Sequence, residues 1–225
     1  MILESAVPAA SSSRALEPRH IQLARAAIAA IAAAMVTFTP DHSAPTGLAV
    51  FSGFTTTTGL VFLAGAWLVP ATGRRTVPIV LGAFSLLAGM VSGVAAWRTT
   101  TMLFAAVIVW ALAMGLVEGI DGWRRMRRAS PRSTDRTDAR DALVVGAVTL
   151  ALGAGLLLVN SRYALHYVIP EAGRSFTLTG TAIAVGIFGA YAAVVAVYLG
   201  IAGFSPRPAR DAEADEAETS EEHAR

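Results

Sequence analysis

Six uninterrupted apolar runs dominate the 225-residue sequence. Each is long enough to cross the roughly 30 Å hydrocarbon core of a bilayer as a helix. They cover approximately residues 21–39, 47–69, 77–97, 101–123, 142–159 and 177–203. None alternates as a barrel strand does, so only helices can satisfy the backbone hydrogen bonds in lipid. With 54% hydrophobic and 15% charged residues, the chain is predicted to be an all-α integral membrane protein with six transmembrane helices.

The basic residues, all 18 of them arginine, are distributed unevenly between the loops. Only Arg98, Arg162 and Arg174 fall in the first, third and fifth loops, and the other fifteen fall at the opposite ends of the spans. By the positive-inside rule this bias predicts that both termini are cytoplasmic. The pI near 9.5 then reflects topology, so no nucleic-acid partner is expected.

The chain divides into a membrane domain and two flanking segments. Residues 1–19 lack the basic start of a signal peptide and are predicted to be an uncleaved, disordered cytoplasmic arm. Residues 205–225 are predicted to be a disordered cytoplasmic tail, since seven acids lie in its last fifteen residues. The membrane domain, 20–204, has predicted hairpins at about 20–70, 76–124 and 142–204, and an arginine-rich cytoplasmic loop at 124–141. This loop is expected to contact anionic lipids and, transiently, the acidic tail.

Recurring small residues suggest that the three hairpins are copies of one unit. Gly59 recurs 56 residues later as Gly115, and Gly82 recurs 64 residues later as Gly146. Chance agreement in an Ala- and Gly-rich sequence is the alternative. Small residues let helix backbones approach closely in lipid. The predicted packing positions are Gly53, Gly59, Gly82, Gly89, Gly93, Gly115, Gly119, Gly146 and Gly153.

Three hairpins of this length, an arginine opening the first span in RAAIAAIAAAM, proline in FTPDHSAP and the stretch GLVEGIDGWRRMRR together resemble the HdeD-like acid-resistance membrane proteins. The resemblance covers roughly residues 20–204. The chain departs from the family at Trp97 and Arg98, where a proline turn is common, at Val195, which replaces a repeat glycine, and in its longer fifth loop. The resemblance implies a bacterial inner-membrane protein linked to acid or envelope-stress tolerance, without catalytic residues to carry over.

Two carboxylates stand near the end of the fourth span. Asp121 lies three and four residues before Arg124 and Arg125, within ion-pairing reach on a helix. Glu118 lies roughly 7 to 8 Å inside the boundary that Trp123 marks, at 1.5 Å per residue. We favour Glu118 as a membrane-edge anchor paired with arginine. The alternative is a small proton or solute channel or transporter with Glu118 in its pathway.

The opposite side carries a second set of polar residues. Asp41, His42, His166 and Glu171 lie in the first and fifth loops and are a candidate outer pH-sensing cluster. The alternative is that they are solvated loop residues that never meet. The hydroxyls of Thr55–Thr58 are expected to bond back to carbonyls of the preceding helical turn rather than to line a polar path.

The sequence offers no sign of enzymatic chemistry. It has no phosphate-binding loop, no HExxH, no nucleophile elbow and no cysteine. We therefore expect a non-enzymatic protein without cofactor or metal, whose partner is the lipid bilayer. A homo-oligomer is left open.

Overall fold

Six long helices make up most of the structure, which is a computed structural model describing residues 18–68, 75–130, 133–169 and 174–205. Within these residues the helices are α1 (Pro18–Phe38), α2 (Ala44–Leu68), α3 (Thr76–Gly93), α4 (Thr100–Met126), α5 (Thr134–Leu158) and α6 (Gly180–Phe204). All six are long and apolar enough to span a membrane. The prediction of an all-α, six-helix membrane protein is confirmed. The arm before residue 18 and the tail after residue 205 lie outside the described residues.

The helices form a ring in chain order, in which α6 returns to contact α1. Three pairs pack most closely, namely α2 with α3, α4 with α5, and α6 with α1. Contacts within the predicted hairpins, such as α1 with α2, are much sparser. The main interfaces therefore join the second helix of one predicted hairpin to the first helix of the next.

Repeated glycines lie where two of these close pairs cross. A Cβ atom on Gly59 of α2 would lie 2.8 Å from the carbonyl oxygen of Gly82 on α3. Likewise, a Cβ atom on Gly115 of α4 would lie 2.8 Å from the carbonyl oxygen of Gly146 on α5. Since these glycines are the residues related by offsets of 56 and 64 in the sequence, the repeat and the packing coincide.

The other predicted packing glycines differ in their surroundings. A Cβ on Gly89 would clash with Thr56, one on Gly153 would lie 2.9 Å from Leu112, and one on Gly93 would lie 3.1 Å from Ser52. A Cβ on Gly53 or on Gly119 would meet no atom within 4 Å. The backbone of Gly119 nevertheless lies against Gly146.

An aromatic cluster fills the middle of the ring. It consists of Phe51, Phe54, Trp110, Phe188 and Tyr191, all of them buried. Most of the ring pairs meet edge to face, with centroids 5.5 to 6.3 Å apart, the arrangement that aromatic quadrupoles favour. The indole Nε1 of Trp110 donates to Ser85 Oγ at 3.2 Å. The cluster leaves the centre of the described bundle densely packed.

Two elements differ from the expected boundaries. Helix α5 begins at Thr134, eight residues before the predicted span, because the polar stretch TDRTDARD continues the helix beyond the apolar run. The predicted loop after α5 contains an antiparallel hairpin of β1 (Ala164–Ile169) and β2 (Arg174–Thr179). Strand β2 also takes the first residues of the predicted sixth span, so α6 starts at Gly180.

Candidate functional site

A cavity of about 320 Å³ opens at the end of the ring where α1, α3 and α5 begin. We call this cavity the vestibule. Its apolar wall includes Phe62, Leu81 and Leu199. Its charged lining consists of Arg25, Arg75, Arg125, Glu118, Asp121, Asp138 and Asp141. All six helices contribute to the lining, so the vestibule lies on the axis of the ring.

A buried ion pair lies in the vestibule. Nη1 of Arg25 on α1 lies 2.8 Å from Oε1 of Glu118 on α4, and the two side chains are only 14% and 7% exposed. The Arg25 guanidinium also lies over the ring of Phe62 on α2, 4.4 Å from its centroid. A cation over an aromatic face is attracted by the ring quadrupole. The pair therefore joins three helices in a region shielded from water.

The partner of Glu118 thus comes from the first helix rather than from the arginines that follow it in sequence. Asp121 is the acid that pairs locally, with its Oδ2 2.8 Å from Nε of Arg125, although this N–H is not aligned for a hydrogen bond. Arg124 is exposed. The two acids that the sequence grouped together have separate partners, and Glu118 faces the interior.

A smaller gap of about 10 Å³ adjoins the ion pair. It is lined by both members of the pair and by the hydroxyl-bearing residues Thr58, Thr149 and Tyr191. Thr149 Oγ1 and Tyr191 Oη lie 3.1 Å apart. Thr58 is only 4% exposed, and its Oγ1 has no hydrogen-bond partner within the described chain. A gap of this size with several polar neighbours has room for about one water molecule.

The threonine run on α2 follows the sequence expectation only in part. Thr55 donates to the carbonyl of Phe51 at 2.8 Å, and Thr57 donates to that of Gly53 at 2.7 Å. Thr58 makes no such bond. Its hydroxyl is therefore available to the gap beside the ion pair.

A further buried acid in the vestibule escaped the sequence analysis. Asp141 on α5 is 7% exposed and accepts hydrogen bonds from Gln22 Nε2 and Tyr198 Oη, both at 3.0 Å. It was assigned to the arginine-rich loop because the apolar run begins one residue later. The position of an acid directly before an apolar run was the available signal.

At the opposite end of the ring, the structure describes three of the four residues of the predicted outer cluster, namely Asp41, His42 and His166. Asp41 accepts from the backbone and hydroxyl of Ser43 and from the hydroxyl of Thr46. These bonds, that of Thr46 foremost, hold the pKa of the Asp41 carboxyl below its ordinary value. No hydrogen bond or ion pair connects the exposed His166 on β1 to Asp41 or His42 in the described residues. Glu171 lies outside the described residues, so the cluster stays a prediction.

No family model, curated protein or solved structure matches this chain. The resemblance to the HdeD-like proteins has no support from these comparisons and stays a prediction, as does a role in acid or envelope-stress tolerance.

Proposed function

We propose that this protein is a non-enzymatic membrane transport protein for protons or a small solute, in which the Arg25–Glu118 pair belongs to the pathway. The observation that carries the proposal is the position of the pair, buried between α1 and α4 and facing a cavity that opens at one end of the ring. Ionisable groups inside a membrane bundle are costly and commonly mark ion or substrate pathways.

The gap beside the pair supports a route for protons. Glu118 has a titratable carboxyl, and the hydroxyls of Thr58, Thr149 and Tyr191 lie around the same gap. One water molecule there would place hydrogen-bonding groups next to one another from the vestibule to the aromatic cluster. The aromatic cluster separates this route from the far end, so transport requires these rings to move.

The orientation forms part of the same proposal. Arg75, Arg124, Arg125, Arg127 and Arg128 lie at the vestibule end of the helices, and cytoplasmic loops of membrane proteins are enriched in such residues. We place the vestibule on the cytoplasmic side of a bacterial plasma membrane, with both termini on that side and the arginines near anionic lipids.

The test is proton flux into liposomes that contain the purified protein. A pH gradient is imposed, valinomycin and potassium clamp the membrane potential, and an internal pH dye reports the flux. Wild type is expected to exceed empty liposomes. Glu118→Gln removes the titratable group at nearly constant size and should reduce the flux to the empty-liposome level, while Glu118→Asp should keep part of it. Asp135→Asn, at an exposed position on α5, is the matched control and should behave as wild type.

Thermal unfolding of each variant in detergent shows whether it is folded. If Glu118→Gln is folded and conducts as well as wild type, Glu118 is not part of the pathway. If wild type gives only background flux of protons and of the solutes offered, the transport proposal fails and the edge-anchor interpretation is preferred.

A further inference from the structure

The charged lining of the vestibule holds four carboxylates but only three arginines. Glu118 is paired with Arg25, and Asp121 is paired with Arg125. Asp141 is nearly as deeply buried as Glu118, since the whole residues are 7% and 5% exposed, respectively. Its partners, however, are the neutral Gln22 and Tyr198. No arginine or histidine forms an ion pair with it in the described part of the chain.

A buried carboxylate with only neutral donors is in an unfavourable state. Two hydrogen bonds to neutral groups replace part of the lost hydration, but they supply no opposite charge. A cation that enters the vestibule would supply the missing charge. Arg75 lines the same cavity but is exposed.

The rest of the cavity fits an organic cation rather than a bare ion. Phe62, Leu81 and Leu199 provide apolar surface beside the acid. A volume of about 320 Å³ is at the lower end of the range for small-molecule sites, which bind ligands through apolar walls and a few placed polar groups. In the described part of the chain, no three or more His, Cys, Asp or Glu side chains are grouped closely enough to hold a metal ion.

We infer that the vestibule binds a small organic ammonium ion, with its charged nitrogen at Asp141 and its apolar body against the wall formed by Phe62, Leu81 and Leu199. This inference rests on the proposed function, because it names the class of solute that would enter the same pathway. The oxygens of Asp141 are held by Gln22 and Tyr198 on α1 and α6, so the acceptor position is fixed by three helices. Ligand binding should tighten the contact between α5 and the closely packed α6 and α1 pair.

The experiment is equilibrium binding to the full-length protein in lipid nanodiscs, measured by calorimetry without any gradient. The probes are phenethylammonium, neutral 3-phenylpropanol and anionic 3-phenylpropionate, which have similar size and different charge. Phenethylammonium is expected to bind, and the other two should bind at least ten-fold more weakly. Asp141→Asn should weaken phenethylammonium binding at least ten-fold, and the exposed Asp135→Asn should leave it unchanged.

A second variant guards against a folding defect. Asp141→Glu keeps a carboxylate at this position, so it should retain part of the phenethylammonium binding that Asp141→Asn loses. Equal binding of the three probes, or unchanged binding in a folded Asp141→Asn protein, would overturn the inference. Binding without flux in liposomes would instead refute the proposed function and leave this site standing.

Discussion

Gly115 and Gly146 face each other so closely that a Cβ atom on Gly115 would lie 2.8 Å from the Gly146 carbonyl oxygen. Real Cβ atoms do not approach backbone atoms to this distance, so α4 and α5 must separate to admit even a methyl group. We expect Gly115→Ala to destabilise the protein by about 1 to 3 kcal/mol, as overpacking does, and to lower the midpoint of thermal unfolding in detergent.

Gly53 is the matched control for this substitution, because it lies on α2 with open space around its Cβ position. Gly53→Ala should be neutral or stabilising by roughly 0.5 to 1 kcal/mol, since alanine favours a helix over glycine. A loss of stability for Gly115→Ala together with no loss for Gly53→Ala would show that the close crossing of α4 and α5 constrains the bundle. The same sign for both would argue that it does not constrain the bundle.

The buried pair of Arg25 and Glu118 should show strong energetic coupling. Removal of one partner leaves the other charge buried and uncompensated, which costs about 3 to 5 kcal/mol. Arg25→Met and Glu118→Gln are therefore each expected to lower stability, and the double variant should lose much less than the sum of the two. Thermal unfolding of the four proteins measures this cycle. Additive losses would show that the two side chains act independently.

The hydroxyl of Thr58 gives a test whose sign distinguishes a hydrated gap from a dry one. In a dry gap, Thr58→Val would remove an unsatisfied buried group and stabilise the protein by about 1 to 3 kcal/mol. With a water in the gap, valine leaves that water short of a partner, so we expect stability to fall instead. Thr57→Val, which removes an exposed hydroxyl bonded to its own helix, should change little. The midpoints of thermal unfolding of these variants and of wild type show whether the gap is hydrated or dry.

The ionised carboxylate of Asp41 should stabilise the folded protein at all but strongly acidic pH. Its folded pKa lies below the ordinary value of 3.8 because Thr46 and Ser43 donate hydrogen bonds to it. A depressed folded pKa means that its contribution is full above the unfolded pKa and is lost as pH falls through the folded one. The difference in thermal stability between wild type and Asp41→Ala should stay constant from pH 7 to pH 5 and shrink below about pH 4. A difference that disappears between pH 6 and 5 would contradict this assignment.

Side-specific labelling tests the proposed orientation, and the absence of cysteine from the sequence makes single-cysteine variants clean reporters. His166→Cys on β1 and Arg128→Cys beyond α4 lie at opposite ends of the ring. In intact cells an impermeant maleimide should label the first and spare the second. The reverse pattern would overturn the placement of both termini in the cytoplasm.

Local sequence patterns predicted the parts of the structure that depend on local physics. The six spans follow from apolar length, and the glycines of the α2/α3 and α4/α5 crossings follow from their recurrence at fixed offsets. The β-hairpin was also readable, because Phe176 and Leu178 alternate with serine and threonine on β2 and a Pro- and Gly-containing stretch separates the two strands. It was missed because the predicted sixth span absorbed the end of β2.

The candidate site lay beyond such patterns because its groups are brought together from distant parts of the chain. Arg25 and Glu118 are 93 residues apart, and the nearby Arg124 and Arg125 offered a simpler local partner. The partners of Asp141 come from the first and last helices. Only the closed ring places these residues around one cavity.

The contact between α1 and α6 has a consequence for biosynthesis. Helix α1 is the first described helix to leave the ribosome, yet its closest neighbour is the last. Until α4 emerges, Arg25 must stay in the membrane without Glu118, held by snorkelling towards the surface or by water. Helix α1 therefore lacks its main packing partner through nearly the whole of translation. Its final burial is a late event that depends on the release of α6.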